Sequence, residues 1–306
     1  MSDYVDDMII RNIQGGKEME RSITEELLEQ YRRSLYSEEK SPLTIKKYIR
    51  DVRKLMKYAA ETQDNFIITK ELVITFKDKL YNHDHYKIES VNSILEAVNR
   101  FFEHMEWYEL RIKPYRVQRE SFTPEERYMN KEEYQRLLAE AKSRGKKRLY
   151  LIMETLASTG MRVSEISYVT VQALKTGVVE VNNKGKIRKV LLTKKMRMQL
   201  SRYAEEQGIS EGIIFCTRTG KPVDRTNIWK EMKELCESAG VEKSKVFPHS
   251  LRRLFARSLY KVQKDLAKIA DILGHSNIET TRRYVRETSS EHQKLLERLH
   301  LVGGYW

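Results

Sequence analysis

Only two cysteines, Cys216 and Cys236, occur in 306 residues. They are too few for a disulfide framework and lack the spacing of metal ligands, which fits a reducing compartment and gives no reason to expect zinc. No apolar run approaches the roughly 18 residues of a membrane span; the longest are short stretches such as Leu149 to Met153. The first residues carry Asp3, Asp6 and Asp7 where a signal peptide wants basic side chains, so a cytoplasmic protein with no membrane association is expected. There is no internal repeat, low-complexity tract or glycine-rich phosphate loop, which argues against an ATP-driven machine.

What is present is a chain 40% hydrophobic and 33% charged, able to bury one sizeable core and long enough for two. Its net charge of +13 is unevenly placed: residues 1–100 hold 17 basic and 18 acidic side chains, residues 101–306 hold 40 and 26. The surplus therefore belongs to the second part. Lysines and arginines that neutralise phosphates release condensed counterions, so a polyanion is the natural partner.

Four stretches are expected, in order: a tail at 1–20, a helical block at 21–110, a basic linker at 111–123 and a second block at 124–306. In the helical block apolar residues recur with period 3.6. One helix covers Thr24 to Tyr36. A second opens at Ser41-Pro42 and aligns Ile45, Ile49, Val52, Leu55, Met56 and Ala59 on one face. A third starts at Thr69, and a fourth starts at Ser90 with Val91, Ile94, Val98, Phe101, Phe102 and Met105 as bundle core. The linker has Pro114 and Pro124 and crowds Arg111, Lys113, Arg116 and Arg119, a composition suited to a tether along nucleic acid.

The second block is mixed: helices at Lys131–Lys142, Leu149–Ser158 and from Ser164, then a hairpin, then helices again from Lys195. In the hairpin, Asn182-Asn183-Lys184-Gly185-Lys186 turns between two apolar strands. Four clusters place phosphate-binding or proton-transferring groups at helix ends or turns. Arg162 stands at the junction broken by Gly160, with Glu165 three residues on to orient it. Lys184 sits in the hairpin turn. His249 and Arg252 are three apart at a helix start and so share a face. Gly274-His275 ends another helix, and Tyr284 follows nine residues after His275.

This ordered set resembles the catalytic signature of the tyrosine recombinase and phage integrase family, in its Xer-like or small-integrase form. The matching segments are Ser158 to Ile166, Asn182 to Lys186, His249 to Arg257 and Ile272 to Val285. The resemblance implies a mainly α fold with a small β-sheet: an N-terminal helical, SAM-like core-binding domain and a C-terminal catalytic domain. It implies Tyr284 as nucleophile, Arg162 and Arg252 as the clamp on the scissile phosphate, Lys184 as the acid for the leaving oxygen, and His249 and His275 as proton-handling and hydrogen-bonding groups, with Glu165 in support. Lys184 is preferred over Lys186 because the family places its lysine just before a turn glycine. Arg111, Lys113, Arg116, Arg119, Lys186 and Arg253 are expected DNA contacts.

The implied reaction is site-specific DNA recombination through a covalent 3′-phosphotyrosine, needing no cofactor, neither ATP nor metal, on double-stranded DNA with inverted-repeat core sites. A helix over Ser289–Leu301 would be exchanged between subunits of a homo-tetramer on DNA. The physical chemistry agrees: tyrosine titrates near about 10 and needs a cationic neighbourhood to attack at neutral pH, and two guanidinium forks stabilise charge growing on non-bridging oxygens. The rival reading is a non-catalytic helix-turn-helix regulator built on Asp265 to Val285. It falters at Thr280 and Arg283, which stand where a packed recognition helix needs apolar residues.

Overall fold

A computed structural model describes residues 21–62, 66–117, 128–183, 186–247, 249–286 and 288–300. The chain divides into two compact units, with the division between Arg119 and Glu120. Both are built mainly from helices, and the described residues hold one two-stranded sheet.

The first unit is a helical bundle of α1 (Glu25–Ser37), α2 (Pro42–Thr62), α3 (Lys70–Asp78) and α4 (Ile88–His104). Their starts are chemical. The Thr24 hydroxyl accepts from the backbone of Leu27 at 3.2 Å, Ser41 from Thr44 at 3.2 Å and Thr69 from Leu72 at 3.1 Å, each satisfying an amide the helix itself leaves unpaired. The helices bury their periodic stripes together: Leu28, Tyr31 and Leu35 meet Ile49, Val52 and Leu55, and Val91, Leu95, Val98, Phe101 and Phe102 close the core. Trp107 caps it edge-on against Phe101, centroids 5.7 Å apart. The fourth helix starts at Ile88, two residues earlier than its pattern suggests, because Lys87 is the last extended residue. The third continues into a π-helical turn over Lys79–His83.

The first part of the segment expected as a basic linker is strapped to this bundle at Ile112 and Tyr115. Ile112 is buried in the core. The Asn99 side chain both donates to the carbonyl of Ile112 (2.9 Å) and accepts its amide (3.1 Å), and Asn92 does the same with Tyr115 (2.9 and 2.8 Å). Two asparagines thus stand in for a neighbouring strand, with four hydrogen bonds worth about 1 kcal/mol net apiece. Arg111 pairs with Glu103 at 2.9 Å, while Lys113 and Arg116 face solvent. Arg119 and Pro124 lie outside the described residues.

The second unit is organised by α6 (Lys147–Thr159), which runs through its core with Leu149, Leu151, Ile152, Met153 and Leu156 all buried. Around it lie α5 (Lys131–Ser143), α7 (Val171–Thr176), α8 (Lys194–Glu206) and α9 (Arg225–Leu235), then α10 (Ser250–Val262), α11 (Leu266–Leu273), α12 (Ile278–Val285) and α13 (Ser289–Glu297). A reciprocal cap starts α5: Asn130 accepts from Glu133 N at 2.7 Å while Glu133 accepts from Asn130 N at 2.9 Å. The helix expected from Ser164 is a 3-10 segment, Val163–Tyr168. The last helix stops at Glu297, short of Leu301.

The hairpin pairs β1 (Val178–Asn183) with β2 (Lys186–Leu191) in antiparallel register, Val179 opposite Val190 and Val181 opposite Arg188. Its strands are not uniformly apolar inside and out. Period two turns Val179, Val181 and Val190 inward, and sets Ile187 and Leu191 in solvent. Arg188 shares the inward face with Val190.

Candidate active site

Two glycines shape the site. Gly160 ends α6 and Gly274 ends α11, both with φ near +65°, a left-handed cap that favours glycine. Space demands glycine too: a Cβ at Gly160 would stand 2.4 Å from Phe255 and one at Gly274 would stand 2.4 Å from Arg188. The two helices therefore end close together, and their last turns present carbonyl oxygens to one guanidinium. That group is Arg252, in the first turn of α10 and 1% exposed. Nη1 donates to Gly160 O (2.5 Å), and Nη2 donates to Leu273 O (2.6 Å) and to His275 Nε2 (2.8 Å). Helix carboxyl ends carry partial negative charge, so this is a setting in which a buried arginine is held without a carboxylate.

Because arginine only donates, His275 Nε2 must accept, and the ring proton therefore sits on Nδ1 and is donated to Thr281 Oγ1 at 2.8 Å. Thr281 is fully buried, and it lies three residues before Tyr284 on the same face of α12. The rings of His275 and Tyr284 meet edge to face, centroids 5.2 Å apart. Arg253 lies 5.3 Å from the centre of the Tyr284 ring and 3.7 Å from that of Tyr128.

Arg162 follows Gly160 in extended conformation. Its Nη1 donates to Glu165 Oε1 (2.7 Å), and its backbone amide donates to Glu165 Oε2 (2.8 Å). Glu165 is 3% exposed and also accepts from Arg188 Nη2 at 2.5 Å. Sequence reading missed Arg188, Thr281 and Tyr168, whose hydroxyl donates to Asn182 O at 2.7 Å and so ties the hairpin to the arginine-bearing 3-10 segment. Lys184 lies outside the described residues; the backbone of Lys186 pairs with Asn183 at the start of β2.

Positive charge outweighs negative here. Burial, and then the neighbouring Arg162, disfavour the charge on Arg252. Burial lowers Arg188 as well, against the pull of Glu165. Partial desolvation followed by Arg252 and Arg162 lowers His249, although the residue keeps solvent contact. His275 is pushed down to about 4 by burial and then by Arg252, Arg162 and Arg188. A pocket that resists adding a proton to its histidines favours an anion.

The His275 shift has a testable sign. An unfolded histidine titrates near about 6.5, so between there and about 4 the native state binds fewer protons than the unfolded one. Stability from this ring is complete above the unfolded value and is lost as the pH falls through that window. Urea unfolding near pH 7.5 and pH 5 should show the loss in the wild type and a smaller one in His275→Gln; equal losses in the two proteins would refute the neutral, buried ring.

Two glycine-capped helix ends, a pair of arginines, a neutral histidine and a tyrosine thus converge from segments far apart in the chain. Within the described residues no cluster of three or more histidine, cysteine or acidic side chains is arranged to hold a metal ion. The model of the phage integrase family matches residues 127–291, and that of the phage integrase N-terminal SAM-like domain matches 28–108. Tyrosine recombinase XerA of Thermococcus kodakarensis is 28% identical over 286 residues, covering 90% of this chain and 96% of that protein. Tyrosine recombinase XerD of Staphylococcus aureus is 33% identical over 159 residues, 49% of this chain and 53% of that one.

Among solved structures, XerH site-specific recombinase bound to palindromic difH substrate in a post-cleavage complex aligns with a TM-score of 0.70 at 19% identity, over 88% of this chain and 83% of that one. A lambda integrase dimer bound to a COC′ core site aligns at 0.67 and 18%, over 87% and 96%. These two establish likeness of fold. With more than half of its length matched by the family's model, the chain belongs to the phage integrase family of tyrosine recombinases.

Proposed function

We propose that this site-specific recombinase cuts and rejoins DNA through Tyr284. The phenolic oxygen attacks the scissile phosphorus, a P–O bond to the tyrosine forms and the bond to the 5′ oxygen breaks, leaving a 3′-phosphotyrosine and a free 5′ hydroxyl. The tyrosine proton passes to a base, for which His249, whose partial burial and then arginine neighbours disfavour its charged form, is suited. Lys184 supplies a proton to the leaving oxygen, with Lys186 as the alternative donor. The second strand transfer reverses these steps with a different 5′ hydroxyl, and the phosphodiester energy is conserved throughout. Neither ATP nor a metal ion is called for by this chemistry.

Arg252 carries the reading. Three of its five N–H groups are committed to the protein, while Nε is buried with no hydrogen-bond partner. A buried, unsatisfied, charge-bearing donor costs on the order of 1–3 kcal/mol or more, a penalty that a phosphate oxygen relieves. Arg162 has a single terminal nitrogen on Glu165 and keeps the rest of its fork for the same group. His275, with both nitrogens engaged, orients Arg252 rather than moving protons.

Incubation with a nicked half-site, from which the cut strand end diffuses away, should accumulate a protein–DNA adduct stable to denaturant. Strand exchange without any attached intermediate would overturn the mechanism.

The partner is double-stranded DNA with inverted-repeat core sites, gripped by the basic second unit and met in the cytoplasm, and the active form is a homo-tetramer. The lambda integrase tetramer bound to a Holliday junction, 17% identical with a TM-score of 0.66, is a structural neighbour of this chain. Helix α13 supports an exchanged terminal element: its first turn is anchored by Glu291 to Arg257 at 2.6 Å and Lys261 at 3.5 Å, yet Leu295 and Leu296, and Leu299 just beyond it, stay 42–56% exposed. Removing residues 292–306, which spares Glu291, should leave single-site DNA binding intact and abolish tetramer formation and recombination on paired sites. Unchanged assembly would remove this helix from the interface.

The short helices α11 and α12 follow one another as a regulator's would, but the inner face of α12 carries Thr281 and Tyr284 into the arginine pocket, where a non-catalytic protein has no use for them.

A further inference from the structure

The geometry points to Arg188 as a positioning residue that sets how much of the Arg162 fork is left for the scissile phosphate. The inference rests on the recombinase reading above and extends it to a side chain that touches no reacting atom.

Glu165 is a buried carboxylate between two guanidiniums. Its Oε1 takes Arg162 Nη1; its Oε2 takes the Arg162 backbone amide and Arg188 Nη2. With both oxygens occupied, Glu165 holds Arg162 by one terminal nitrogen only. A buried carboxylate facing a lone arginine adopts instead the bidentate fork-to-fork pairing, the strongest geometry available to it. Removing Arg188 would free Oε2 to take a second nitrogen of Arg162, and the fork would turn from the substrate side towards the protein. Arg188 thus competes with Arg162 for the same carboxylate, and the catalytic arginine remains half free because a second cation satisfies the rest.

Arg188 is also fixed from the other side. Its Nη1 donates to Ile272 O at 2.8 Å, three residues before His275, and its Cδ fills the space that a Cβ at Gly274 would take. It stands on the inward face of β2, and its side chain is 13% exposed. One side chain therefore joins the hairpin, the Arg162 segment and the loop that delivers His275. A lysine could reach Glu165 or the Ile272 carbonyl, but a single ammonium lacks the span for both.

The test is a cycle of single-turnover cleavage rates on a nicked half-site with the full chain. R188Q should cleave about 10²-fold more slowly, the scale of a catalytic group displaced by about 1 Å, with half-site affinity unchanged. R188K should fall between R188Q and wild type. The discriminating arm is E165Q in the R188Q background: with the competing carboxylate neutralised, Arg162 is released, so the second substitution should cost less than it does alone, or raise the rate.

A merely structural Arg188 would give losses that multiply and a lowered melting temperature that tracks them. Multiplying losses, or an R188Q rate within about threefold of wild type, overturns the proposal. Should R188Q fail to fold, R188K with E165Q carries the same comparison, because it keeps a cation in the buried position. Y284F assayed alongside separates the two failures: if Y284F still forms the adduct the recombinase reading itself falls, whereas a dead Y284F beside an active R188Q removes only the role of Arg188.

Discussion

Tyr284→Phe should form no covalent adduct with a nicked half-site while binding the same DNA with wild-type affinity. The loss of cleavage is expected to be on the order of 10⁴-fold or more, because removing the nucleophile leaves only positioning and charge stabilisation. Binding should survive, since the phenyl ring keeps the edge contact with His275 and the helix carrying it is held by buried Thr281 and Val285. Gel separation of protein-linked DNA under denaturing conditions reads the first quantity, and a binding titration at fixed salt the second. An adduct persisting in this variant would move the nucleophile to another side chain.

Arg252→Lys is the second large effect, and it falls on activity and stability together. The ammonium keeps the charge but cannot span Gly160 O, Leu273 O and His275 Nε2, which the guanidinium meets at 2.5–2.8 Å. At least one helix-terminal carbonyl is left dry, at about 1–3 kcal/mol, and the planar guanidinium proposed to clamp the phosphate is lost. Cleavage should fall about 10³-fold, the scale of removing one preorganised donor from a developing oxyanion, and the midpoint of urea unfolding should drop as well. Near-normal cleavage would refute the clamp. A normal rate with lowered stability would reduce Arg252 to a bracket between two helix ends.

Much of the first unit was legible because period 3.6 marks buried faces directly: Ile49, Val52, Leu55 and Ala59 lie on the buried stripe their spacing indicates. The π turn after Asp78 was not, since shifting a hydrogen bond by one residue leaves no mark in composition. Nor was the docking of 111–115. Asn92 and Asn99 read as ordinary residues of an amphipathic helix, and only the approach of a second segment gives their amides a backbone to grip.

At the site, Arg162, His249, Arg252, His275 and Tyr284 were legible as a spaced set, with their roles coming from resemblance. Thr281 had a signal, its place one helical step before Tyr284. Arg188 had a fainter one: alternation with Val190 puts it on the hidden face, where a lone cation demands a partner. What spacing could not convey was direction. The resemblance gave His249 and His275 as proton-handling and hydrogen-bonding groups, and it is the donor chemistry of Arg252 that makes His275 Nε2 an acceptor with its proton turned away.

The asparagine strap bears on anyone who recombines these two units with those of a relative. A chimera joined where the helical periodicity ends, just after Leu110, would exchange residues 111–117 for foreign chain and leave Asn92 and Asn99 facing an unmatched sequence. Because the grip is on main-chain atoms of Ile112 and Tyr115, most replacements could still be held, provided an apolar residue fills the Ile112 socket and no proline falls at either clasped amide. The sound place for the join is therefore beyond residue 117, and grafts made there carry the bundle together with its own clasp.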